Sequence, residues 1–231
     1  MPVRCILFDF GNTLFGHDDL QSTLSACSAR LDRPLAPAQA AQLAADIEAA
    51  AHTPDELMHR RDLDAAVWAA RWEVLYGLGD DLVPGLGSAV MHDMHDPQRW
   101  VPYAQTNSTL RELHRAGLAI GVVSNTGWDI RPVFRCWGVD DCIDEFTLSY
   151  EAGLVKPDPA MFEQACRRLG ADPAITLMVG DDPIADSGAV AAGLQVLLLP
   201  RCSPGRDNGV VSALRLGAVE PTVLRSGTSD G

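Results

Sequence analysis

The sequence predicts an α/β fold: a parallel sheet flanked by helices, with an all-α segment inserted after the first strand. Three observations carry that expectation. From Trp100 onward, short apolar strand-like runs alternate with helical segments, a pattern that implies right-handed crossovers and a parallel sheet. One further strand stands apart near the start, in Cys5-Ile6-Leu7-Phe8. Between the two, residues 16–96 show helical spacing and no strand signal.

Taken in order, the first strand ends abruptly in Asp9, and the turn-forming pair Gly11-Asn12 follows. Asp18 and Asp19 can cap a helix running to about residue 31, which Pro34 ends. Pro37 opens a second, alanine-rich helix to about residue 51. A third places Val67, Trp68, Trp72 and Leu75 at helical spacing and stops near Gly77, and residues 84–94 fit a fourth. Beyond Trp100 the expected helices are 107–116, 130–137, 159–169 and 184–192. The expected strands are 118–123, 146–149, 176–179 and 195–199. Residues 1–15 and 97–231 thus form a Rossmann-like core and 16–96 a helical domain, with the polar tail 225–231 disordered.

Composition narrows the function classes. The 231 residues are 47% hydrophobic and 21% charged, as expected of an ordinary globular chain. No apolar run approaches the roughly 20 residues of a membrane helix, and residues 3–8 are too short for a signal peptide. A cytoplasmic location is the expectation. The net charge of −13 argues against nucleic acid and requires any anionic substrate to be held by a local positive site. Six scattered cysteines with no C-x-x-C pair fit reduced thiols better than a disulfide frame or a zinc site. Of 18 basic residues, 17 are arginine and one, Lys156, is lysine. A chain that uses arginine almost everywhere has kept a compact ammonium at one place.

Three expected strands end in polar residues: Asp9, then Ser124-Asn125-Thr126, then Gly180-Asp181-Asp182. In a parallel sheet those tips share one edge, where open α/β folds bind their ligands. A single strand-terminal aspartate is often only a cap. Three such tips, with the lone lysine in Gly153-Leu154-Val155-Lys156-Pro157-Asp158-Pro159, form a much rarer combination.

At these motifs the chain resembles the haloacid dehalogenase-like hydrolase superfamily, most of whose members are magnesium-dependent phosphatases. The resemblance covers residues 3–15 and about 100–200, with four motifs in order. Residues 16–96 match in position only, as the helical cap that many members insert after the first motif. The resemblance implies that Asp9 attacks phosphorus to form an aspartyl phosphate, a covalent route that divides one displacement into two. It implies that Ser124 and Asn125, with nearby backbone N–H groups, bind phosphate. Lys156 would then neutralise both nucleophile and phosphoryl group. Asp9, the Gly11 carbonyl, Asp181 and Asp186 would hold Mg²⁺, a hard cation suited to clustered oxygens. Asp182 precedes Pro183 and a helix, so capping explains it as readily as metal contact.

One departure matters. The usual first motif is D-x-D-x-T, and its second aspartate protonates the leaving group; here Asp9-Phe10-Gly11-Asn12-Thr13 has glycine in that place. General acid–base catalysis is worth about 10²–10⁴-fold, so poor leaving groups should turn over slowly. The expected activity is Mg²⁺-dependent hydrolysis of a small phosphorylated metabolite. Metal-independent dehalogenation at carbon, or binding without turnover, are the alternatives; oligomeric state is left open. His17 is a candidate proton donor, although an exposed histidine before a helix is the plainer reading. In the cap, His52, His59, Arg60, Arg61 and Arg71 could read a substrate's polar end or be solvated. Trp68 and Trp72 read as cap core, and Trp128 is placed to line a pocket.

Overall fold

The computed structural model describes residues 3–217. Strand β1 (Cys5–Phe8) leads through a tight turn into the two-residue strand β2 (Phe15–Gly16). Five helices follow: α1 (Leu20–Arg30), α2 (Pro37–Ala51), α3 (Pro54–Met58), α4 (Ala65–Tyr76) and α5 (Leu86–His95). The chain returns through β3 (Val101–Pro102), α6 (Thr106–Arg115), β4 (Ala119–Ser124), α7 (Arg131–Cys136) and β5 (Glu145–Leu148). It continues through α8 (Ser149–Ala152), α9 (Pro159–Leu169), β6 (Thr176–Gly180), β7 (Gln195–Leu198) and α10 (Ser212–Leu216). The main sheet has the order β5-β4-β1-β6-β7 and every pairing in it is parallel. This is the expected Rossmann-like α/β fold.

The central strand explains why the sheet closes as it does. All four residues of β1 are buried, so it reads as a continuous apolar run. Period-two alternation sends Ile6 and Phe8 into one apolar core and Cys5 and Leu7 into the other. The register pairs Phe8 with Val122 of β4 and with Val179 of β6. The residues just past those positions therefore emerge at one level of the same edge. Residues 20–95 have an apolar centre of their own, built on Leu24, Cys27, Ile47, Leu86 and Val90.

Several boundaries differ from expectation. Residues 16–96 are not free of strand: Gly16 pairs with Val101 and Phe15 with Pro102 in an antiparallel ladder. Two-residue strands carry no periodicity, and this pair joins segments remote in sequence. The last expected helix, 184–192, is a 3₁₀ helix over Asp186–Ala192. Gly188 lies against Pro157 there, closely enough that a Cβ would collide. Helix α5 starts at Leu86, because Gly85 takes a left-handed φ of 83° ahead of it. Asp19 is the residue that caps α1, accepting from Ser22 N at 2.7 Å, whereas Asp18 pairs with Arg99. The short helices α3, α8 and α10 were not expected. The tail 225–231 lies outside the described residues. Among those residues, no helix is long and apolar enough to cross a membrane.

The helical segment is fastened to the sheet side at two points. Trp68 on α4 lies flat against Gly127, where any Cβ would collide with the indole. Ser149, at the start of α8, donates to the Asp62 carbonyl at 2.6 Å. Within the segment, Glu56 is buried and receives the Arg71 guanidinium at 3.0 Å and 2.5 Å, with Arg61 at 3.5 Å. Hydrogen bonds from Arg71 hold the Glu56 carboxyl below the usual glutamate range. A depressed carboxyl adds stability above its unfolded pKa and loses it as pH falls. Glu56→Gln should therefore flatten the decline in unfolding free energy between about pH 5 and pH 3, as read from urea midpoints across that range.

Candidate active site

The expected residues converge. Lys156 Nζ donates to Asp9 Oδ1 at 2.6 Å and to Asp186 Oδ1 at 2.7 Å, and all three side chains are buried. Asp9 is fixed by its own backbone, whose N–H donates to Val179 O at 2.9 Å. Burial pushes the Asp9 carboxyl up to about 7, against the pull of Lys156; Asp186 and Asp181 push the same way as burial. Burial by itself would lower the Lys156 ammonium, but Asp9 and Asp186 outweigh it and hold it raised. The ammonium stays charged between two carboxylates.

The Asn125 amide accepts from Lys156 N at 2.8 Å and donates to Lys156 O at 2.9 Å. It therefore positions the loop that carries the lysine, and Asn125 also borders the cavity. Ser124 ends β4, is buried, and lines the cavity beside Asp9. Asp186 gives its second oxygen to Asp182 N at 2.9 Å. Asp182 is a cap: Oδ1 accepts from Ile184 N and Ala185 N at 2.8 Å and 2.9 Å, and the N–H bonds hold its carboxyl low.

Two participants were missed in the sequence. Thr13 Oγ1 donates to Asp181 Oδ1 at 3.3 Å, and Arg201 Nε donates to Asp181 Oδ2 at 2.5 Å. Thr13 stood in the quoted first motif without a role. Arg201 lies just past β7, so the strand-tip rule that singled out Asp9 and Asp181 would have reached it too. His17 is neither exposed nor beside Asp9. Its ring is buried, faces Asp93 at 3.4 Å and Trp100 at 5.2 Å, and lines a neighbouring cavity.

Above the carboxylates lies a cavity of about 430 Å³, lined on the sheet side by Asp9, Gly11, Ser124, Lys156 and Asp181. On the cap side it meets Arg61, Asp62, Trp68, Trp72 and Tyr76, with Trp100 and Trp128 between. Trp68 and Trp72, expected in the cap core, thus line it, and so does Trp128. Arg61 lies over the Trp72 ring at 4.9 Å, while Arg71 is spent on Glu56. Burial raises the Asp62 carboxyl.

Asp9, Asp181 and Asp186 each offer an oxygen within 4.8 Å of the others. The donor set is all carboxylate, and Lys156 and the mostly exposed Arg201 are the cations paired with it. Such a set suits a hard divalent cation. The fit with Mg²⁺ is good in charge and in ligand type.

A parallel sheet whose central strand delivers a carboxylate to a buried lysine, beside a carboxylate cluster, is the scaffold of a hydrolase. The family model for haloacid dehalogenase-like hydrolases matches residues 3–193, and the chain belongs to that family. A glyceraldehyde 3-phosphate phosphatase from Methanothermobacter thermautotrophicus is 37% identical over 101 residues, 42% of this chain and 44% of that protein. The chain spans about half the length of the curated relatives it matches. Among solved structures, a HAD phosphatase from Thermococcus onnurineus superposes at TM-score 0.64 with 19% identity, covering 94% of this chain and 99% of that one. A 2-haloacid dehalogenase from Pseudomonas syringae pv. Tomato DC3000 does so at 0.62 with 19% identity, covering 94% and 98%. Those two likenesses show the fold alone.

Removing the lysine should expose its structural role. Lys156→Met leaves two buried carboxylates without a cation and should cost about 3–5 kcal/mol. Arg201→Ala removes a mostly exposed cation from the buried Asp181 and should cost less than the lysine change, because water can reach the space it leaves. Denaturant midpoints of the metal-free proteins at neutral pH compare the two.

Proposed function

We propose that the chain is a Mg²⁺-dependent hydrolase of small phosphate monoesters that works through a phosphorylated Asp9. The observation that carries this reading is Lys156 held between Asp9 and Asp186, one oxygen cluster away from Asp181. An anionic nucleophile can approach an anionic phosphoryl group only where positive charge is fixed beforehand. The free Asp9 oxygen attacks phosphorus, the bond to the ester oxygen breaks, and the alcohol oxygen leaves with the electron pair. Water then attacks the phosphoryl group, releasing phosphate and restoring the carboxylate. Lys156 balances charge in both steps, and the Ser124 hydroxyl, which borders the same cavity, would donate to a phosphoryl oxygen.

Asp9, Asp181 and the Gly11 carbonyl would hold Mg²⁺, with Asp186 at the inner side of the cluster. When bound, the cation supplies charge neutralisation for the transferring phosphoryl group. Residues 16–96 would act as the cap over this site, shielding it from water. Attack on carbon needs no cation among the carboxylates, so the Asp9, Asp181 and Asp186 group favours phosphorus.

Hydrolysis of 4-nitrophenyl phosphate should require Mg²⁺, stop in EDTA and vanish in Asp9→Asn. Turnover surviving that substitution, or halide release from 2-haloacids in EDTA, would sink the proposal. Metal and phosphonate binding without any turnover would leave a binding protein instead. A side chain at position 11 has room, the nearest obstacle being the Trp100 ring at 3.9 Å. Gly11→Asp should therefore fold normally and raise kcat on alkyl phosphates by up to about 10²-fold, measured by phosphate release.

A further inference from the structure

Four of the chain's five tryptophans line the one cavity above Asp9. They belong to a continuous series of ring contacts that starts on the residue after the nucleophile. Phe10 meets Trp100 at 4.7 Å, Trp100 meets Trp128 at 6.0 Å, and Trp128 meets His95 at 5.2 Å. From there the series runs through Trp68 at 5.4 Å to Trp72 at 6.1 Å, and ends on Tyr76 at 5.0 Å. Packing between cap and core accounts for Trp68, which seals against Gly127. Trp72, Trp100 and Trp128 also pack against the apolar cores, yet each stays only half-buried and borders the cavity.

On the phosphatase reading above, we infer that the substrate is a phosphate ester of an aromatic alcohol, with its ring held among Trp72, Trp100 and Trp128. Two independent features demand the same leaving group. The first is shape and polarity. A planar ring gains offset or edge contacts with the indoles, while Arg61 and Asp62 are the polar side chains that the helical segment adds to the cavity. A volume of about 430 Å³ lies within the usual range for small-ligand sites.

The second is the chemistry at Gly11. With no carboxylic acid there, the ester oxygen leaves unprotonated. A phenolic oxygen, with a pKa of about 10, departs far more readily than an alkoxide, whose conjugate acid lies near that of water at about 16. The position where the family keeps its acid opens onto the Trp100 ring. The chain has aromatic surface at the place where it lacks a proton donor.

Aryl esters are intrinsically easier to hydrolyse, so rate alone does not test ring recognition. Affinity for non-hydrolysable phosphonates does. With Mg²⁺ present, calorimetry should show 2-naphthylmethylphosphonate binding at least about tenfold tighter than propylphosphonate. Trp72→Ala should bring that ratio below about threefold and Trp72→Phe should keep most of it, with thermal melts reporting whether each variant folds. Equal affinity of the two phosphonates for the unaltered protein overturns the inference, whatever the variants do. Turnover of phosphate esters with no aromatic preference in binding likewise defeats it and spares the phosphatase reading. Aromatic phosphonate binding with no turnover of any ester does the reverse.

Discussion

Everything at the strand tips depends on one ammonium. Lys156 contacts Asp9 at 2.6 Å and Asp186 at 2.7 Å inside the protein. Three carboxylates within 4.8 Å of one another would repel strongly in a medium that screens so little. A compact charge with three rotatable donors fits between two buried carboxylates on different loops, whereas the arginines that bridge two carboxylates here, Arg99, Arg131 and Arg201, are all partly exposed. That is a physical reason for the single lysine in a chain otherwise served by arginine. Asn125 extends the argument outward, since both ends of its amide hold the lysine's own backbone.

Much of this was legible beforehand. The apolar runs of β1, β4 and β6 and their polar ends located the edge, and register alone then brings Ser124 and Asp181 level with each other, one residue beyond Asp9. Asp182 could be read as a cap from Pro183 beside it. What escaped was long-range and side-chain specific. The ladder of Phe15–Gly16 with Val101–Pro102 is too short to imprint a pattern. Arg201 meets Asp181 only because β7 lies beside β6. The amide of Asn125 could not be assigned to Lys156 from spacing. His17 looked exposed because its partner Asp93 lies on α5, more than seventy residues on.

The cap helices show the same limit from another side. Trp68 and Trp72 lie one turn apart on α4, and helical spacing cannot say whether such a stripe faces its own helices or a neighbouring body. Here it does both. Trp72 packs against the apolar centre of the helical segment and also borders the cavity. Trp68 is set also by the backbone of Gly127, a contact with no trace in either local sequence.

The central position of β1 carries a consequence for how the chain reaches this state. Its Cys5 pairs with Ala119 on one side and Thr176 on the other. Neither neighbour exists when β1 leaves the ribosome, and closing such long loops is entropically slow. The intervening helices, whose contacts are mostly local, can form first. Until β4 and β6 arrive, four apolar residues with both edges unpaired are an adhesive segment. The strand that carries Asp9 is thus synthesised before both of its neighbours and enclosed only after them, which makes it a segment in need of protection during biosynthesis.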